Sequence, residues 1–158
     1  MTDATKIRQS ALRMLARREH SCFELKQKLL QRNYEEELIE QELKKLIIQD
    51  ILSEQRFLEN FVRSRITKGH GPARIKIELQ EKGIIKETIM DYLVENKINW
   101  LEKIEQVRHK KFKNNWPQDA KENAKQIRYL QYKGFSLDQI QQAKIKVSKE
   151  IINHEYYE

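Results

Sequence analysis

The sequence predicts an all-α fold: three tandem three-helix, helix-turn-helix-like repeats stacked into an elongated, curved array. Three observations carry this. Only four glycines and two prolines occur in 158 residues, and all six fall at breaks between periodic segments. Between the breaks, apolar residues recur at the three- and four-residue spacing of a helix face. Finally, the chain matches itself when shifted by 50 residues, the mark of a repeat architecture.

Each element follows from local signals. In TKIRQSALRMLARRE, Ile7, Ala11, Leu12, Met14 and Leu15 define a first helix. Ser21 and Glu24 have the spacing of a capping box and open a second helix through Leu25 and Leu29. A third follows Asn33, with Leu38, Ile39, Leu43, Leu46 and Ile47 on one face. Ser53 caps a fourth, carrying Phe57, Phe61, Val62 and Ile66, and Pro72 suits the first position of a fifth, which Gly83 ends. A sixth is expected near 86–96 with Ile89, Tyr92 and Leu93, and a seventh near 97–113 with Ile98, Leu101, Ile104 and Val107. An eighth ends at Gly134, and Ser136 with Gln139 makes a second capping box for the ninth.

At the shift of 50, Leu25, Lys26, Leu29, Arg32, Asn33, Tyr34, Ile39 and Leu43 fall on Ile75, Lys76, Leu79, Lys82, Gly83, Ile84, Ile89 and Leu93. Upstream, Arg18 falls on Lys68, His20 on His70, Ser21 on Gly71 and Cys22 on Pro72. A third copy is offset by 51, with Leu79, Lys82, Gly83 and Ile84 on Leu130, Lys133, Gly134 and Phe135, although NNWPQDA has no counterpart. The expected repeats are 1–52, 53–98 and 99–158.

The net charge of +7 favours an anionic partner. Its distribution alternates: 33–60 carries eight acids and three bases, 63–86 seven bases and two acids, and 100–133 nine bases and four acids. That pattern suits one face toward a phosphate backbone and another toward protein or solvent. No window of about 18 apolar residues and no secretion signal occurs, so a cytoplasmic protein with no membrane association is expected. One cysteine, Cys22, and four scattered histidines offer neither a disulfide framework nor zinc spacing. No cofactor, metal or catalytic constellation is expected, and the chain reads as a non-enzyme.

The residues then point to a family. ALRMLARREHSCFELKQKL, RFLENFVRSRITKGHGPARIKIELQEKGI and RYLQYKGFSLDQI resemble the three signature stretches of the bacterial regulatory protein family RecX, over roughly residues 8 to 145. The middle stretch is the most specific, from Arg56 and Phe57 through Arg63, Arg65, Lys68, Gly69, Gly71, Pro72 and Arg74 to Lys82 and Gly83. Leu58 stands where a small residue is usual and Cys22 where a basic one is common. The resemblance implies a modulator of the RecA recombinase that binds the RecA–DNA filament, lies in its groove and inhibits strand exchange, ATP hydrolysis and the co-protease reaction. Its implied partners are the RecA filament and single- and double-stranded DNA, met as a monomer.

For the binding residues, clustering at adjacent helix ends selects Arg63, Arg65, Lys68, Arg74 and Lys76, with Arg17, Arg18 and Lys26 as first-repeat counterparts. A second basic patch is Arg108, Lys110, Lys111 and Lys113, with Trp116 behind it; packing between repeats is expected for Trp116 ahead of base stacking. The alternative for all these cations is a plain solvated face. In KGHGPARI, residues 68 to 75, the main role expected is a turn, with a phosphate contact at the helix start as the alternative. The acidic run Glu35, Glu36, Glu37, Glu40 and Glu42 reads as a solvated helix start. His20 and His70, at equivalent positions, suggest a shared packing role, and Tyr156 and Tyr157 a frayed tail. The rival function is a helix-turn-helix transcriptional regulator that reads the major groove through RIKIELQ.

Overall fold

A computed structural model describes residues 1–157. Among them there are nine helices and no strand: α1 (Asp3–Arg17), α2 (Cys22–Leu30), α3 (Glu36–Ile48), α4 (Glu54–Thr67), α5 (Pro72–Glu81), α6 (Lys86–Glu95), α7 (Trp100–Phe112), α8 (Ala120–Tyr132) and α9 (Leu137–Tyr157). The expected starts are in place. Ser21 Oγ accepts the Glu24 amide at 3.1 Å, Ser53 Oγ that of Arg56 at 3.2 Å, and Ser136 and Gln139 close a reciprocal box at 3.1 Å each way. The aligned residues Asn33, Gly83 and Gly134 all adopt positive φ, 64°, 82° and 106°. At the two glycines the amide of the next residue returns to the carbonyl five residues back, Ile84 to Leu79 and Phe135 to Leu130, both at 3.1 Å.

The chain divides into two compact units that cut across the middle repeat. Unit 1 is Met1–Arg63 with Glu78–Thr88, and unit 2 is Ser64–Ile77 with Ile89–Glu158. Unit 1 buries Ile7, Ala11, Leu25, Leu29, Ile39, Leu43, Leu46 and Leu52 in one cluster. In unit 2, Ile104, Leu130, Phe135, Ile140 and Ala143 form the centre, flanked by Trp100, Val107, Trp116 and Tyr129. Each unit therefore contains a complete three-helix repeat together with part of the middle one.

Two expectations need correction. Ile47 is 47% exposed, because Leu43 and Leu46 take the inward direction of α3 and Ile47 lies one step round it. The seventh helix starts at Trp100, since Lys97 is held at φ +47° and Asn99 supplies the cap, accepting the Glu102 amide at 3.2 Å. Helix α9 runs to Tyr157, with Tyr156 and Tyr157 both exposed to solvent.

Candidate functional site

Each unit is built around a similar joint, in which the first turn of one repeat's second helix meets the turn that ends the next repeat's second helix. In unit 1 the α2 start meets the turn at Lys82 and Gly83, where a Cβ on Gly83 would stand 2.5 Å from that of Phe23. In unit 2 the α5 start meets the turn at Lys133 and Gly134. There the Gly71 amide donates to the Lys133 carbonyl at 2.7 Å and the Ala73 amide to the Gly134 carbonyl at 3.1 Å. A Cβ on Gly71 would lie 2.4 Å from the Gly134 oxygen, so only glycine fits this backbone-to-backbone approach.

This settles the role of KGHGPARI. Two of the amides that would receive a phosphate at the start of α5 are used by the joint, and Pro72 has none to offer. The stretch turns the chain and docks it.

In unit 1, Glu24 lies at the centre of the joint. Its carboxylate is 7% exposed and receives Arg18 at 3.0 and 2.8 Å and Lys82 at 2.9 Å. The cap at Ser21 is thus made from the hydroxyl side alone, Glu24 having turned to these two cations. Burial by itself would raise the Glu24 carboxyl, but the hydrogen bonds and charges of Arg18 and Lys82 outweigh it and hold the group down at about 2. Beside it, His20 is buried between the Arg18 carbonyl on Nδ1 and the Lys28 ammonium on Nε2, each at 3.0 Å. Burial pushes its pKa down, which keeps the imidazole neutral. Cys22, in the first turn of α2, has its thiol pushed up to about 11 by burial and by Glu54, so a low-pKa nucleophile is not what this position provides.

The first-repeat cations are mostly engaged within unit 1. Arg18 is held by Glu24, and Lys26 bridges Glu36 at 2.7 Å and Glu40 at 2.9 Å, which also gives the acidic run a structural partner. Arg17 stays exposed on a shallow hollow with Arg13 and Arg32, two arginines the sequence reading did not select.

In unit 2 the structure gathers cations that the sequence placed in separate patches. Lys68, from the end of α4, joins Lys110 and Lys111 of α7 around one cleft of about 470 Å³, together with Lys103 and Lys133, which the reading missed. The floor and walls include Ile66, Gly69, Val107 and Tyr129. The Lys133 ammonium donates to the Lys68 carbonyl at 3.0 Å, and Lys111 stands 5.5 Å from the Tyr129 ring centroid. Burial lowers the Lys133 pKa, and the charges of Arg74 and Lys110 lower it further. Arg65, Arg74, Lys76 and Lys113 lie outside the lining; Arg74 stacks on Tyr132 at 5.3 Å, and Lys113 is exposed at the end of α7. Arg63 is exposed and belongs to unit 1.

Arg108 corrects the second patch. It is 1% exposed, four residues after the buried Ile104 on the inward face of α7. Its guanidinium bonds Glu105 at 2.8 Å and the Asn114 carbonyl at 2.9 Å, and it stacks on Trp116 at 4.7 Å. Trp116 in turn donates Nε1–H to Glu105 at 2.8 Å. Arginine, glutamate and tryptophan together pin the long loop before α8, so Trp116 packs within the third repeat and not, as expected, between repeats.

Among the described residues no helix is long and apolar enough to cross a membrane, and no group of three or more histidine, cysteine or acidic side chains is placed to hold a metal ion.

Comparisons with known proteins place this architecture. Family models for the first, second and third three-helix domains of RecX match residues 8–46, 53–93 and 99–143. Curated proteins named "Regulatory protein RecX" from Pseudomonas putida and Pseudomonas syringae pv. tomato are each 46% identical to this chain over 134 residues, 85% of this chain and 86% of theirs. The crystal structure of RecX from Lactobacillus salivarius aligns with a TM-score of 0.79 at 27% identity, over 92% of this chain and 97% of that one. A crystal structure of a regulatory protein RecX, at 24% identity and a TM-score of 0.71, covers 89% of this chain and 71% of its own and shares the fold.

Proposed function

The chain belongs to the RecX family of regulatory proteins, and from that membership we propose that it binds RecA–DNA filaments and restrains strand exchange, ATP hydrolysis and the co-protease reaction. The observation that best supports a filament contact is the convergence of Lys68, Lys103, Lys110, Lys111 and Lys133 on one acid-free cleft. Such a concentration of charge gives an anionic filament a steered approach. The exposed Arg17 and Arg63, and Arg65, Arg74, Lys76 and Lys113 outside the cleft, extend the cationic surface each within its own unit. The working organisation is three repeats, 1–52, 53–98 and 99–158, acting as a monomer in the cytoplasm by binding and without catalysis.

The transcriptional reading has less support. A recognition helix presents its N-terminal residues to base edges. Here the start of α5, the helix of RIKIELQ, is occupied by the Lys133–Gly134 turn, and Ile75 and Leu79 face the interior.

Binding to preformed RecA filaments on single-stranded DNA, compared with naked DNA, tests the proposal. Preference for the filament is expected, weakened by Arg65→Glu and Arg74→Glu. Equal binding to naked DNA, or tight binding to one duplex sequence without recombinase, would overturn it.

A further inference from the structure

The outer face of α8 carries a further cationic pattern, none of it among the basic patches expected from the sequence. Lys121, Lys125, Arg128 and Tyr132 lie four, three and four residues apart, the spacing that sets side chains one above another along a helix. All four are exposed, while the opposite side of the helix buries Gln126 and Leu130. The stripe holds no acid. Asp119 caps the helix, accepting the Glu122 amide at 2.9 Å, and Glu122 lies round toward Gln126, which donates to it at 3.5 Å. Three cations therefore run along one face and end at an aromatic ring, within about 16 Å of helix. Tyr132 is 73% exposed, and the Arg74 guanidinium of α5 lies over its ring at 5.3 Å from the centroid. A tyrosine left this open gives the fold little by burial. Held by a guanidinium on one face, the ring offers the other to a planar group. The next residue, Lys133, lines the lysine cleft with Lys68, Lys110 and Lys111, so the stripe leads into it.

We propose that this face of α8 binds single-stranded DNA, with backbone phosphates along Lys121, Lys125 and Arg128 and one unpaired base stacked on Tyr132. The assignment rests on the proposed contact with RecA–DNA filaments and names the part of the DNA that the third repeat takes. A row of cations alone would serve a duplex equally well. The ring decides for a single strand, because an unpaired base has a face to offer, whereas a duplex base is stacked on both sides and must first be extruded.

The test is binding of the full chain to fluorescein-labelled oligothymidylate, to an abasic strand of the same length and to the corresponding duplex, read by anisotropy with no recombinase present. The parent should bind oligothymidylate about tenfold more tightly than the abasic strand. Tyr132→Ala should abolish that difference by weakening oligothymidylate alone and leave the duplex unchanged, and Tyr132→Phe, which keeps the ring, should preserve it. Lys125→Gln and Arg128→Gln should weaken both single strands and lower the slope of log affinity against log salt by about 0.7 each. Lys6→Gln, at an exposed position of α1, should change neither. Equal affinity of the parent for the two single strands overturns the proposal. So does an equal loss on both by Tyr132→Ala, which is what a ring that only supports the fold would give, or a loss on the duplex as large as on oligothymidylate. An effect of Lys6→Gln as large as that of Arg128→Gln overturns the phosphate path. Binding to preformed filaments is read separately through Arg65→Glu and Arg74→Glu, so failure here would leave the regulation of RecA standing.

Discussion

Gly71→Ala tests the joint of unit 2 at its tightest point. The added Cβ would stand 2.4 Å from the Gly134 oxygen, 2.5 Å from its carbonyl carbon and 2.7 Å from the Phe135 nitrogen. All three are backbone atoms, so no side chain can swing aside, and the two segments must separate by about 1 Å to reach ordinary contact. That separation breaks the bonds from Gly71 to Lys133 and from Ala73 to Gly134, made at 2.7 and 3.1 Å. Two lost bonds cost about 1 kcal/mol each, and overpacking adds about 1–3 kcal/mol, for a total of about 3–5 kcal/mol. For a chain of this length the same loss lowers the melting temperature by roughly 10 °C. Gly83→Ala, at the joint of unit 1, provides the comparison. Its Cβ meets the Cβ of Phe23 at 2.5 Å, an atom that rotation of the half-exposed ring leaves in place, so the backbone must give there as well. Left-handed backbone strain at φ +82° adds about 1–2 kcal/mol. Urea and thermal unfolding, followed by circular dichroism, read both variants. A Gly71→Ala protein within about 0.5 kcal/mol of the parent would refute the geometry of the joint.

Three further outcomes follow from the described side chains. Arg108→Ala should cost about 3–5 kcal/mol in urea unfolding, because it leaves Glu105 and the Trp116 loop without their buried partner; a neutral result would return Arg108 to the surface. Acid should weaken unit 1: the Glu24 carboxyl is held at about 2 against an ordinary 4.5, so its stabilisation is complete above pH 4.5 and is lost as pH falls toward 2. That amounts to at most about 3 kcal/mol, reduced to about 1–2 kcal/mol because Arg18 and Lys82 are partly exposed. The lowered pKa of His20 adds a loss that begins nearer its ordinary 6.5, and Glu24→Gln should flatten the acid limb. Finally, with the Cys22 thiol at about 11 instead of 9.0, alkylation by iodoacetamide at pH 8 should run about a hundredfold slower than for an ordinary thiol; rapid labelling would contradict the burial.

Much of the fold was legible because its punctuation is local. A glycine or asparagine that ends a helix with positive φ, and a serine that starts one, act through residues three to five positions away, so Asn33, Gly83, Gly134, Ser21 and Ser136 could be read directly from the sequence. The site was legible only in part. Arg108 looks like its lysine neighbours in a list of charges, yet its place four residues after Ile104 turns it inward, a signal present in the helical period and overridden by residue type. Lys103 and Lys133 join Lys68 only through a contact that spans 65 residues, which no local pattern announces. One clue was available: the shift of 51 superposes Lys82 on Lys133 while the shift of 50 superposes Glu24 on Arg74, and that exchange of residue type distinguishes the two joints. The amides of Gly71 and Ala73 offered no such clue, because their partners lie in the next repeat.

The most direct test of the account is ATP hydrolysis by RecA on single-stranded DNA, titrated with this protein at substoichiometric amounts, beside a control for DNA binding alone. The account predicts inhibition well below the amount that coats the DNA, weakened by charge reversal at Arg65 and Arg74. Unchanged hydrolysis at amounts that saturate the DNA would contradict it.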